Sequence, residues 1–198
     1  MQLDKFLPAY QYHEIHSVMV KAPPERVFTA IQELTPAELS RLVFWMLAVR
    51  NLPARWMGRH APAVVQTGPF LQQLYRGGFI PLAEDPGHEI VFGLVGQFWK
   101  LSGGEAPHIP DAQAFLACND PACAKAAANL LVTDGGDGYT RCSTETRVFA
   151  PEPSTRHKFA FYWSIISMGS AFIRVLWLRG IKKKAEQVSG STAPGNKR

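Results

Sequence analysis

The chain has 198 residues, 46% apolar and 19% charged, which is the balance of one globular domain with a sizeable core and excludes a disordered or fibrous chain. The formal charge of +5 crowds toward the C-terminus, at Arg174, Arg179, Lys182–Lys184, Lys197 and Arg198. These basic residues are not interleaved with aromatics as a nucleic-acid surface requires, so no nucleic-acid partner is expected.

Cys118, Cys123 and Cys142 are odd in number and lack paired CxxC spacing. The opening MQLDKFLPAY has an acid early and no apolar signal segment. Reduced thiols and a cytoplasmic location are the expectation. The longest uninterrupted apolar run, Leu42–Val49, is far below the roughly 18 residues that span a bilayer, so a soluble protein is expected.

In chain order, Tyr12–Ala22 holds a strand-like stretch at Ile15–Val20 and stops at Pro23 and Pro24. Proline suits a first helical position, which predicts a helix over Glu25–Leu34 with Val27, Phe28, Ile31 and Leu34 on one face. Thr35-Pro36-Ala37-Glu38 repeats the start signal and predicts a second helix to about Arg50. Its Leu42–Val49 part is apolar on all sides. Residues 51–76 show no legible element.

Phe79–Ala83 and His88–Trp99 read as a hairpin turned by Glu84-Asp85-Pro86-Gly87, with Pro81 marking an edge strand. Leu101–Pro110 reads as a loop and Asp111–Cys118 as a short strand. Ala124–Thr133 has helical propensity, yet it runs into Asp134-Gly135-Gly136-Asp137-Gly138, a hairpin turn that needs a strand on each side. It is therefore predicted as a strand paired with Tyr139–Ala150. After Pro151 and Pro153, with Ser154 or Thr155 as cap, a helix of some thirty residues, roughly 45 Å long, runs to Gln187. Its stripe is Phe159, Trp163, Ile166, Ser170, Ile173, Trp177 and Ile181. Residues 1–188 form one domain in this reading, and 189–198 a disordered tail.

The order of strand, two short helices, antiparallel strands and one long helix resembles the START-like (SRPBCC) superfamily. The resemblance is carried by HSVMVKAPPERVFTAI (His16–Ile31), GDGYTRCSTETRV (Gly136–Val148) and FAFYWSIISMGSAFIRVLWLRGIKKKAE (Phe159–Glu186). FGLVGQFW (Phe92–Trp99) and STETRV (Ser143–Val148) are similar to an uncharacterised bacterial branch of it. It implies an α+β helix-grip fold, a curved antiparallel sheet wrapped around the C-terminal helix with a cavity between them. Members include lipid carriers, hormone receptors, polyketide cyclases and oxygenase subunits, so fold alone does not fix function.

The expected ligand is a small apolar molecule, lipid-like or aromatic, held by a carrier or sensor. The helix stripe Phe159, Trp163, Ile166, Ser170 and Ile173 is a cavity wall or plain core, Gly169 and Ser170 leave room on it, and Tyr162, Ser170, Glu145 and Arg147 are the available polar anchors. Phe92 and Phe98 share one face of a strand that is apolar on both sides, while Gly93 and Gly96 suggest a bulge or bend. Arg141, Glu145 and Arg147 share one parity of their strand, either a solvated outer face or, at Glu145 and Arg147, polar anchors in the pocket.

His13 and His16 point to opposite faces of a strand and so do not chelate one metal. Rieske motifs, GxSxG and Gly-rich phosphate loops are absent, so no metal or other cofactor is expected. Two alternatives stand beside the carrier. One is a cyclase- or hydrolase-type enzyme acting on an aromatic or polyketide-like substrate, with His16 or Glu145 as base. The other is a membrane-surface or partner-binding module using Leu42–Val49 and Lys182–Lys184.

Overall fold

The computed structural model of the chain describes residues 1–39, 68–100 and 106–187. Its elements are α1 (Leu3–Phe6), β1 (Tyr12–Val20), α2 (Pro24–Glu33), a 3₁₀ turn (Pro36–Glu38), α3 (Phe70–Arg76), β2 (Ile80–Asp85), β3 (Glu89–Gly96), α4 (Ala112–Ala117), β4 (Ala124–Gly136), β5 (Tyr139–Phe149) and α5 (Pro153–Gln187). The five strands form one antiparallel sheet in the order β1-β5-β4-β3-β2. Packed against the long helix α5, it makes an α+β, helix-grip arrangement. Pro81 does lie in an edge strand, where its missing N–H costs no ladder bond.

Each face of the sheet is covered by different helices. On one side α2 and α5 bury Val27, Ile31, Leu34, Trp177, Leu178 and Ile181 against Ile90, Phe92, Leu130 and Cys142. On the other side Leu3, Leu7 and Phe115 pack on Leu82, Val91, Val95 and Ala127. β3 contributes Ile90 and Phe92 to the first layer and Val91 and Val95 to the second, which is why its sequence is apolar at both parities. Burial of each such side chain stabilises the fold by roughly 1.5–3 kcal/mol. β4 sits between β3 and β5, so ladder bonds on both edges override the helical propensity of its alanines.

Several expectations are corrected. Asp111–Cys118 is helical, not a strand. Asp111 Oδ1 accepts the Ala114 N–H at 2.8 Å, an N-cap that starts α4 and turns Phe115 into the sheet. Gly93 marks no bulge. It makes room for Phe115, whose Cε2 would lie 2.7 Å from a Cβ built there. The bulges fall at Pro81/Ala83 and Asp134/Gly136 instead.

Neither Ser154 nor Thr155 caps α5. Pro153 is already in the helix, and the Thr155 hydroxyl donates to the Pro121 carbonyl at 2.7 Å. Of the second predicted helix only the 3₁₀ turn is among the described residues. There the Glu38 carboxylate accepts from the Thr35 N–H and hydroxyl at 2.8 and 2.9 Å. Leu42–Val49 and the predicted tail lie outside the described residues, and α1 and α3 had no sequence prediction.

Candidate functional site

Strand register sets out the floor beneath α5. Glu14 pairs with Thr146, Thr146 with Ala128 and Ala128 with Phe92, giving one row across four strands. The next row is Tyr12, Val148, Ala126 and Leu94. Side chains on a strand alternate between faces, and these rows share the face that α5 covers.

The two ends of this floor are closed. Phe159 stacks on Trp163 at 5.7 Å and meets Tyr12 edge-on at 4.7 Å, sealing Ala124 and Val148 beneath them. Trp177 packs on Phe92 and Phe70 with centroids 6.0 and 5.0 Å away. Between these plugs the packing loosens. Ala126 and Ala128 are half-buried although they belong to the central strand, whereas Ala124 and Leu130 along the same face are fully buried. Above them Tyr162, Trp163, Ile166, Ser170 and Ile173 are also half-buried. From Trp163 to Ile173 the helix runs about 15 Å, and the half-buried residues along it and beneath it mark a strip of partial exposure, the candidate groove between helix and sheet.

The groove has a charged wall. Arg174 Nη1 donates to Glu14 Oε2 at 2.6 Å, and His16 Nε2 lies 3.0 Å from Glu14 Oε1. Both members of the ion pair are largely buried, at 15% and 17% side-chain exposure. Burial holds the Arg174 guanidinium below its ordinary value, with the Glu14 carboxylate acting in the opposite direction. The buried Oγ1 of Thr146, in register with Glu14, and the buried Nε1 of Trp177 have no hydrogen-bond partner among the described residues. The arrangement therefore combines a partly exposed apolar strip, a mutually satisfied ion pair and two buried polar atoms without a hydrogen-bond partner among the described residues.

The structure distributes the sequence-predicted residues unevenly. Tyr162, Trp163, Ile166, Ser170 and Ile173 lie along the groove. Phe159 and Phe92 are 1% and 4% exposed and belong to the plugs, and Phe98 packs against Phe159 at 6.1 Å. Glu145 and Arg147 lie on the opposite face and cannot anchor a ligand in this groove.

Nor is that opposite face solvated. Arg147 Nε donates to Glu145 Oε1 at 2.6 Å, its Nη1 reaches Asp4 at 2.8 Å and the Leu7 carbonyl at 3.2 Å, and its guanidinium covers the Tyr10 ring. His13 Nε2 lies 2.9 Å from Glu145. Asn129 joins this cluster to the buried Glu89, which accepts the Gln2 and Leu3 N–H groups. These bonds clamp α1 to the sheet, a structural role.

Glu14 and Arg174 were missed as site residues. The available signal was parity: Glu14 and His16 share a parity with Tyr12 and Val18, and Arg174 interrupts an apolar helix just after Ile173. A concavity of ≈ 560 Å³ lies along the C-terminal part of α5 between Leu39 and Arg179 and Lys183. It does not adjoin the Glu14–Arg174 pair. No group of three metal-ligating side chains occurs among the described residues.

No family model matches the chain, and no curated protein matches it. Solved structures do. A structural-genomics protein from Mesorhizobium loti is 14% identical, with a TM-score of 0.38, and covers 92% of this chain and 99% of its own. One from Nitrosospira multiformis is 11% identical, with a TM-score of 0.37, covering 90% and 99%. One from Thermus thermophilus is 10% identical, with a TM-score of 0.31, covering 91% and 100%. Their descriptions state no activity.

Proposed function

We propose that the chain binds a small molecule with an apolar body and one polar end in the groove under α5, as a carrier or sensor in the cytoplasm. The observation that carries this reading is the half-burial of Ala126 and Ala128 at the centre of the sheet. A core that served packing alone would bury its central strand most deeply. The START-like resemblance in the order of elements accords with it.

The wall favours a neutral handle. Arg174 and Glu14 already satisfy each other, and an anionic ligand would have to displace a buried carboxylate. A hydroxyl or carbonyl could instead accept from the Trp177 indole N–H or pair with the Thr146 hydroxyl. Burying about 300 Å² of ligand at ~25 cal/mol per Å² contributes roughly 7 kcal/mol, and association costs are of similar size. Useful affinity therefore depends on the groove being preformed and on those polar atoms.

Native mass spectrometry of freshly purified protein tests the reading. Co-purified mass that disappears in Ser170→Phe, with thermal stability retained, is the expected result. A ligand-free parent together with an unfolded Ser170→Phe would mean that this position is plain core.

A second reading, an acid–base enzyme acting on an aromatic or polyketide-like substrate, draws on the His16–Glu14 hydrogen bond. Turnover of an activated aryl ester that is lost in His16→Gln would favour it. An unchanged rate in that variant would remove it.

A further inference from the structure

The face of α5 turned away from the sheet is apolar and open. Phe161, Ile165, Met168 and Phe172 are 72%, 63%, 80% and 39% exposed. Their spacing of four, three and four residues puts them within roughly 60° of one another on a helix of 3.6 residues per turn, on the side opposite Phe159, Ser170 and Trp177. An 18-residue window of α5 is apolar enough to cross a membrane, yet only 6% of it is buried. The helix does not cross as a lone span while folded, because Arg174–Glu14, Trp177 and Ile181 hold its other side to the sheet.

Charge decides what fits this stripe. Lys158 lies just before it, and Arg179 and Lys183 lie beyond it on the same side, all three exposed. Glu186, farther along that side, is already bonded to Lys182 and the Lys21 N–H. Pairing with a second copy would bring cationic ends near cationic ends in either direction. A flat anionic surface satisfies both ends at once while admitting the apolar side chains between them.

We propose that the outer face of α5 docks on anionic lipid bilayers, lying in the plane of the headgroups with Phe161, Ile165, Met168 and Phe172 inserted at the acyl boundary. This does not depend on the groove holding a ligand.

The test is co-sedimentation of the full chain with phosphatidylcholine vesicles containing about one quarter phosphatidylglycerol, at low and high salt. Binding is expected at low salt and should be lost at high salt and on vesicles of phosphatidylcholine alone. Met168→Glu and the double variant Lys158→Glu/Lys183→Glu should each reduce the bound fraction at least about tenfold with unchanged thermal melting.

Absence of binding at low salt, or binding indifferent to both variants, overturns the proposal. So does a large loss of stability in Met168→Glu, which would show the stripe to be buried in the folded protein. A dimer in solution that Met168→Glu dissociates, without vesicle binding, would assign the stripe to self-association and likewise overturn it.

Discussion

Arg174, from the middle of the long helix, donates to Glu14 on the edge strand β1 at 2.6 Å, tying the helix to the edge of the sheet. Ion pairs at such depth add little net stability, because desolvation offsets their attraction. Removing one partner is another matter. Glu14→Gln or Arg174→Leu should cost about 3 kcal/mol in urea unfolding, while Glu14→Leu/Arg174→Leu should recover most of that loss. Near-neutral single variants would mean that water already screens the pair.

Gly93 sits on the face of the sheet turned away from α5, close against Phe115 and Leu82. A methyl group there would lie 2.7 Å from Phe115 Cε2 and 2.8 Å from Leu82 Cδ1, and the Phe115 ring is fully buried. Gly93→Ala should destabilise by about 1–3 kcal/mol with an unchanged denaturant slope. Gly93→Ala combined with Phe115→Leu should restore part of that loss.

The thiols should separate by reactivity. Burial pushes Cys142 up to about 12. Burial, and then the hydrogen bond to Asp120, pushes Cys123 up to about 11. Thiolate is the reactive form, so both should resist alkylation of the native protein at mildly alkaline pH, while the half-exposed Cys118 reacts. Mass spectrometry after brief iodoacetamide treatment should find one modified cysteine natively and three after denaturation. Native labelling of Cys142 would contradict its placement in the core.

Acid should loosen the N-terminal clamp. The Arg147 hydrogen bond holds Asp4 below its ordinary value of 3.8. A carboxyl group lowered by folding contributes stability above its unfolded value, and that contribution fades as pH falls through the folded value. Asp4 is 54% exposed, so the contribution is small. Wild type should therefore exceed Asp4→Asn in stability near neutrality, and the two should converge in strong acid. A gap that persists at low pH would assign Asp4 a role other than its charge.

The sequence shows the architecture more plainly than the site. Turn chemistry at Asp134–Gly138 predicts β4 against the propensity of its alanines, because a hairpin needs a partner strand. At α4 the cap signal was present in Asp111, but six residues are too few to show a helical period. Parity correctly groups Glu145 with Arg147. It cannot show that Asp4 and Leu7 will return from the far end of the chain to cover them. The Glu14–Arg174 pair is hidden for the same reason: each residue is locally ordinary, and only sheet register and the helix above it bring them together.

The most direct measurement is an amide-resolved NMR titration with 1-naphthol, an apolar ring carrying one neutral hydroxyl. Saturable shifts centred on Ala126, Ala128, Thr146 and Ser170 are predicted. No shift at these residues, or shifts confined to Phe161, Ile165 and Met168 on the outer face, would contradict a ligand-binding groove beneath the helix.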